Sequence, residues 1–380
     1  MSKITFSAAE KSRYNRHIIM PDFGIEAQER LKASSVLVIG AGGLGSPMLL
    51  YLAAAGIGKI GILDCDVLDD SNLQRQILFG IDCIGKPKAD EAKQRLELLN
   101  PYIEIEVHNI QITASNAIEI LKQYDVVADG TDNFPTRYLV NDACVILGKP
   151  SVYASIYQFE GQVSVFNNLM ADGSRGPNYR DIFPFPPEPG SVPNCSEAGV
   201  LGVLPGIIGS MQALEVIKVV ANVGETLSGK LYTFNALSFE SMTYNIKKNF
   251  DNDEIIKSGL IDYEQFCGVP AIEKKMKEVS PLELVEWQKS GEKIQIIDVR
   301  EDYEYDIVNI DGELIPLSAI EKEYAKISTD KKVIIHCKMG GRSSAAIKLI
   351  EEKHGLTNLY NLKGGIVNYI RELELDMPIY

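Results

Sequence analysis

The run Gly40-Ala41-Gly42-Gly43-Leu44-Gly45 stands directly between an apolar stretch, Val36 to Ile39, and an alanine- and leucine-rich segment. Glycines at that spacing let a chain turn sharply out of a strand into a helix, with backbone N–H groups at the turn able to hold phosphate. A second apolar stretch follows from Ile60 to Leu63, so Ser35 to Asp64 reads as a strand–helix–strand unit. Asp64 closes that strand about 20 residues beyond the turn, where an acidic side chain ordinarily takes ribose hydroxyls. Gly40, Gly42, Gly43, Gly45 and Asp64 are therefore candidate nucleotide contacts; the alternative is a tight turn that holds no ligand.

The pattern continues along the chain. Helical periodicity returns over Lys88 to Leu99, a strand is expected over Ile103 to Val107, and another, Val126 to Ala128, runs into the polar cluster Asp129 to Asn133. Alternation through Ser151 to Tyr157 and Gly161 to Phe166 suits antiparallel additions to a mostly parallel sheet. Asn168 to Asn194 is rich in proline and reads as a long exposed connection, of the kind that often carries function. A helix from Gly206 to Val220 and strands near Leu231 to Phe234 and Phe239 to Ile246 complete a first domain, residues 1–248. Residues 249–278 are charged and weakly patterned, as a linker with one short helix. A second domain, 279–380, has strands at Ile294 to Asp298 and Val333 to His336 and helices at Ser343 to Glu352 and Gly364 to Leu373. The fold class is α/β, a Rossmann-like, mostly parallel sheet with antiparallel additions plus a second small α/β domain.

Bulk properties narrow the function. A chain of 380 residues is long enough for two cores. Its net charge of −14, with no basic patch, argues against a nucleic-acid partner. No apolar run approaches the roughly 20 residues of a membrane helix, and Met1 to Glu10 lacks the plan of a secretory signal, so a cytoplasmic protein with no membrane partner is expected. The cysteines Cys65, Cys83, Cys144, Cys195, Cys267 and Cys337 are scattered, and reduced thiols are the expectation.

NAD alone would satisfy the glycine turn and Asp64. The following segments add cations: Ser71-Asn72-Leu73-Gln74-Arg75-Gln76 and Gly85-Lys86-Pro87-Lys88 offer Arg75 and Lys88 to a triphosphate, unless these are solvated surface charges. Asp132, at the end of the Val126 strand, reads equally well as a Mg²⁺ ligand or as the cap of the helix starting at Asn133.

Together these segments resemble the MoeB/ThiF/HesA family, bacterial relatives of ubiquitin-activating enzymes, over roughly residues 10–247. Arg13-Tyr14-Asn15-Arg16-His17 matches the family's amino-terminal motif, and the resemblance implies a homodimer in which Arg16 reaches the partner's ATP site. It also implies ATP contacts at Gly43, Asp64, Ser71, Asn72, Leu73, Gln74, Arg75, Lys88, Asp132 and Asn133. The implied activity is ATP- and Mg²⁺-dependent adenylation of the terminal glycine of a small ubiquitin-like sulfur carrier ending in Gly-Gly. The small subunit of molybdopterin synthase is preferred over a thiamine-pathway carrier.

Pro193-Asn194-Cys195-Ser196-Glu197 ends the proline-rich connection, so Cys195 is either accessible and reactive or buried and inert. The motif resembles ThiF and eukaryotic sulfur-activating members, which implies that Cys195 bonds to the activated carrier or resolves a persulfide. Related enzymes bind a structural zinc through two CxxC pairs. Here Gly176 to Arg180 occupies the first position and only Cys267 lies near the second, so zinc is not expected.

His336-Cys337-Lys338-Met339-Gly340-Gly341-Arg342-Ser343 follows a strand and opens a helix, a setting that turns backbone N–H groups toward the sulfur and favours a thiolate. A tyrosine-phosphatase loop puts one more residue between its cysteine and arginine than the four found here, and the smaller cradle suits a persulfide. With Ile297 to Glu301, the Gly312 to Pro316 turn and Gly364-Gly365, this segment resembles a single rhodanese domain over about residues 279–380. Asn309 stands where many such domains have histidine, and Glu313 where alanine is usual. The resemblance implies a Cys337 persulfide cradled with Arg342, loaded by a cysteine desulfurase or another donor. The rival readings are an NAD-linked oxidoreductase and a persulfide relay that binds carriers without activating them.

Overall fold

A computed structural model describes residues 5–188, 199–268 and 276–380, without the side chains of Ile255 and Glu352. The chain forms two compact units, Met1–Ala271 and Ile272–Tyr380.

The first unit opens with helices α1 (Ala8–Arg13), α2 (Asn15–Ile18) and α3 (Gly24–Ala33). Strand β1 (Ser35–Ile39), helix α4 (Gly45–Ala55) and strand β2 (Lys59–Leu63) follow as the glycine turn requires. Then come α5 (Lys88–Leu99), β3 (Glu104–His108), α6 (Ala117–Leu121), β4 (Val126–Asp129), α7 (Phe134–Leu147), β5 (Ser151–Tyr157) and β6 (Glu160–Phe166). Helix α8 (Leu204–Ala221) and strands β7 (Lys230–Asn235) and β8 (Ser241–Asn245) complete an eight-stranded sheet in the order β3-β2-β1-β4-β5-β6-β7-β8. Pairing is parallel from β3 to β5 and antiparallel from β5 to β8.

Buried runs such as Val36-Leu-Val-Ile39 suit a parallel sheet covered on both faces. Val36 and Val38 share one core with Leu49 and Leu52 of α4 and Val216 of α8, while Leu37 and Ile39 belong to a second core with Leu139 and Val140 of α7. Helix α8, with a mean hydropathy of 1.4 over 18 residues, is long and apolar enough on composition alone to cross a membrane. It instead packs against α4, β5 and β6 with half its length buried, which explains the apolar composition through the core.

Two stretches depart from the sequence reading. Within the connection expected to be exposed, Gly176 to Arg180 are buried. Asn178 caps a single turn there, and the Tyr179 ring packs against those of Tyr138, Tyr153 and Phe183. Beyond Lys248 the chain forms α9 (Phe250–Lys257) and α10 (Tyr263–Phe266), both packed on α7. Arg180 is the hub: its Nε and Nη2 donate to the Asp142 carboxylate, Tyr263 Oη donates to the same carboxylate at 2.7 Å, and the guanidinium lies over the Phe266 ring. The turn at Gly176 to Arg180 and helix α10 are thus joined through an ion pair and aromatic rings.

The second unit holds β9 (Glu278–Val279), α11 (Pro281–Lys289), β10 (Ile294–Asp298), α12 (Asp302–Ile307), β11 (Glu313–Leu314), β12 (Lys332–His336), α13 (Gly341–His354), β13 (Leu359–Leu362) and α14 (Gly365–Glu372). Its five strands are all parallel, in the order β11-β10-β12-β13-β9. The central strand β12 delivers Cys337 to the carboxyl edge of the sheet.

Candidate functional site

The carboxyl ends of β1, β2 and β4 open onto a cavity of about 470 Å³, where parallel sheets ordinarily bind ligands. Its wall contains Gly40, Gly42 and Gly43 from the turn, Asp64 after β2, Asn72, Arg75 and Lys88 from the next connection, and Asp132 and Asn133 after β4. Gly45 lies just behind: a Cβ there would come 2.0 Å from the Gly40 carbonyl oxygen, so only glycine lets α4 start this close to the turn.

Asp64 ties the turn to β2. Its Oδ2 accepts the Ala41 N–H and its Oδ1 the Asp66 N–H, each at 2.8 Å. Burial pushes its carboxyl above the usual range while these amides pull the other way. Each oxygen keeps a lone pair for a ribose hydroxyl. Lys88 is buried and bonded to Asp66 at 2.9 Å, so its charge reaches the cavity already shared. Arg75 sets Nη1 on the Ser71 carbonyl, and its Cδ lies 3.5 Å from where a Gly43 Cβ would stand.

Ser71, Leu73 and Gln74 are not in the wall. The Ser71 N–H donates to Asp69, Leu73 packs on the core, and Gln74 fills the space beside Gly202. They shape the turn that presents Asn72 and Arg75. Arg16 is exposed on α2 and does not line the cavity of its own chain. Cys195 lies outside the described residues.

The ambiguity at Asp132 is resolved by its neighbour. Asn133 is the cap, its Oδ1 accepting the Thr136 N–H at 2.9 Å, which leaves Asp132 as an exposed carboxylate on the cavity wall. Among the described residues no three ligand-type side chains cluster as a protein-built metal cage. Mg²⁺ ordinarily takes one or two carboxylates together with phosphate oxygens and water, and Asp132 fits that donor set.

Two residues in the wall were missed. Among the described residues, Gln76, 3% exposed, has no hydrogen bond to Oε1, and Arg137, 8% exposed, none from Nε. The signal for Arg137 was its helical spacing: three residues after Phe134 and just before the apolar run Tyr138 to Val140, it falls on an inward face.

In the second unit Cys337 is 2% exposed, and its Sγ accepts the Gly340 N–H at 3.1 Å at the start of α13. Helix α14 closes the other side, the Ile366 N–H donating to the Cys337 carbonyl at 2.9 Å. Arg342 forks onto the Glu304 carboxylate, which also accepts Tyr380 Oη–H at 2.9 Å. Arg342 and its hydrogen bonds hold the Glu304 carboxyl down at about 2. His336 lies beneath the loop with neither ring nitrogen hydrogen-bonded among the described residues, and burial pushes it down to about 4. Asn309 bonds the Tyr305 carbonyl and Glu313 the Gln295 amide, so neither side chain is spent on the cysteine loop.

The ThiF family model matches residues 14–255 and a rhodanese-like domain matches residues 280–372. The probable adenylyltransferase/sulfurtransferase MoeZ of Mycobacterium tuberculosis is 48% identical over 98% of this chain and 96% of its own length. The sulfur carrier protein adenylyltransferase of Thermus thermophilus is 49% identical over 68% of this chain and 97% of its own. Among solved structures, E. coli MccB superposes with a TM-score of 0.55 at 22% identity over 64% of this chain and 73% of its own, which shows a shared fold.

Proposed function

This chain belongs to the ThiF family and carries a rhodanese-like domain, and from that premise we propose that it adenylates the terminal glycine of a small sulfur carrier with ATP and then replaces the adenylate with sulfur. The observation that carries the reading is the meeting of the glycine turn, Arg75, Lys88 and Asp132 in one cavity, on a chain that also presents Cys337 to the Gly340 amide.

The carrier carboxylate is ionised at neutral pH and needs no general base. Its oxygen attacks the α-phosphorus, and the bond from that phosphorus to the bridging oxygen of the β-phosphate breaks, releasing pyrophosphate. Arg75 and the amides of the turn hold the phosphates. Asp132 would hold the Mg²⁺ that accompanies ATP, whose charge neutralises phosphate oxygens. Asn72 and Asp64 orient the nucleotide, while Ser71, Leu73 and Gln74 support them. In a homodimer Arg16 would complete the partner's site.

The terminal sulfur of a Cys337 persulfide then attacks the acyl carbon and AMP departs, leaving an acyl disulfide. The Cys195 thiolate attacks the Cys337 sulfur, forming a disulfide between the two cysteines and releasing the carrier thiocarboxylate; a cellular thiol then reduces that disulfide. The described cysteines are all free, in keeping with a reducing, cytoplasmic setting. The carrier that fits the whole-chain likeness best is the small subunit of molybdopterin synthase, with a thiamine-pathway carrier as the alternative. The sulfur donor is a cysteine desulfurase or a protein of similar chemistry.

ATP–pyrophosphate exchange with purified Gly-Gly carriers tests the reading. Exchange that requires both a carrier and Asp132, and is lost in Asp132→Ala, supports it and identifies the carrier. No exchange with any carrier overturns it in favour of a persulfide relay.

A further inference from the structure

The wall of the nucleotide cavity contains a buried cation, Arg137, with no ion-pair partner among the described residues. Arg137 donates Nη2–H to the Thr131 carbonyl at 3.0 Å, while its Nε–H has no acceptor among the described residues. No carboxylate among the described residues lies within ion-pair distance of it, and Asp129 and Asp132 act on it only through space. Asp129 is itself engaged, its Oδ1 accepting both the N–H and the Oγ–H of Thr131. The Phe134 and Tyr153 rings flank the guanidinium at 5.8 and 5.7 Å. Burying a charge and leaving a donor unbonded both cost free energy that an arriving anion would return.

Two anions come to this site, a polyphosphate and a carboxylate. The groups suited to the polyphosphate follow β1 and β2: the glycine turn, Arg75 beside Gly43, and Lys88. Arg137 belongs to the other flank, on the helix after β4, over Tyr153 of β5 and in the same wall as Ile156 and Val200. Guanidinium is the side chain best matched to a carboxylate. Resting on the adenylation reading, we infer that Arg137 binds the terminal carboxylate of the incoming carrier and holds it for attack on the α-phosphate.

The test compares the carrier with a form whose terminal carboxylate is converted to the carboxamide. Affinities for the full-length protein are measured by titration calorimetry in the presence of a non-hydrolysable ATP analogue. The wild-type protein is expected to prefer the carboxylate form by roughly tenfold or more, since charge-assisted hydrogen bonds are the stronger ones. Arg137→Gln should bring that ratio to about one, and Arg137→Lys, which keeps the charge, should leave it intermediate. A general loosening of the site weakens both carriers alike and leaves the ratio intact, so the ratio decides. If Arg137→Gln does not fold by thermal melt, Arg137→Lys carries the comparison. A wild-type ratio near one, or an undiminished ratio in the folded variants, overturns the inference. Wild-type exchange activity with a carrier shows separately that the adenylation reading stands.

Discussion

Arg180 and Asp142 meet in a two-pronged ion pair, Nε to Oδ1 at 2.9 Å and Nη2 to Oδ2 at 2.7 Å, with 7% and 2% of their surfaces exposed. The pair joins the turn at Asn178 to Asp181 with α7, and Tyr263 brings α10 to the same carboxylate.

Breaking the pair from one side strands a buried carboxylate. Arg180→Met is expected to destabilise the first unit by about 3–5 kcal/mol, whereas the double variant Arg180→Met, Asp142→Leu should recover much of that loss. Chemical denaturation followed by far-ultraviolet circular dichroism checks both. A double variant no more stable than the single one would show that the network gives more than charge compensation.

Asp64→Asn should disorder the nucleotide turn. The amide group replaces one of two oxygens that each accept a backbone N–H, leaving a buried donor facing another donor. That clash costs about 1–3 kcal/mol, or roughly five- to 150-fold in the apparent KM for ATP in pyrophosphate exchange. An unchanged KM would mean that Asp64 does not set the turn.

Gly365→Ala should silence the sulfur site and spare the adenylation site. A Cβ there would stand 2.4 Å from the Cys337 carbonyl oxygen and 2.5 Å from that of Lys338, at a backbone φ of +63°. The loop must move, and the Cys337 alkylation rate and persulfide loading should fall at least severalfold. Carrier-dependent pyrophosphate exchange should persist, and its loss would count against two separable activities.

The second unit should lose stability on mild acidification. Burial holds His336 at about 4, below its ordinary 6.5, so the unfolded chain binds the proton more tightly. The associated stability is complete above pH 6.5 and falls by about 3 kcal/mol as the pH drops to 4. Glu304, held at about 2 instead of 4.5, adds its own loss only below pH 4.5. The single tryptophan, Trp287, packs on Tyr360 in this unit, so its fluorescence in urea reports this unit. His336→Leu should flatten the slope between pH 6.5 and 4.5, and an unaltered slope would assign it elsewhere.

By itself the sequence determined what local spacing controls: the glycine turn between two apolar strands, α5 at Lys88–Leu99, β5 at Ser151–Tyr157, and the strand-to-helix step at Cys337. These depend on period, glycine geometry and helix starts, which a short window contains. Tertiary structure decided what depends on partners far along the chain. Asp142 lies 38 residues before Arg180 and 121 before Tyr263, so no local pattern revealed that the proline-rich connection would be drawn inward at Arg180 or that the chain would keep packing past Lys248. Asp132 read equally as metal ligand or helix cap until the start of α7 one residue later gave the Thr136 N–H to Asn133 instead. The spacing of Arg137 places it on an inward helix face, but only the packing of α7 on the sheet showed it buried in the cavity wall. A charge acquires its role from what surrounds it, and only the packed chain supplies those surroundings.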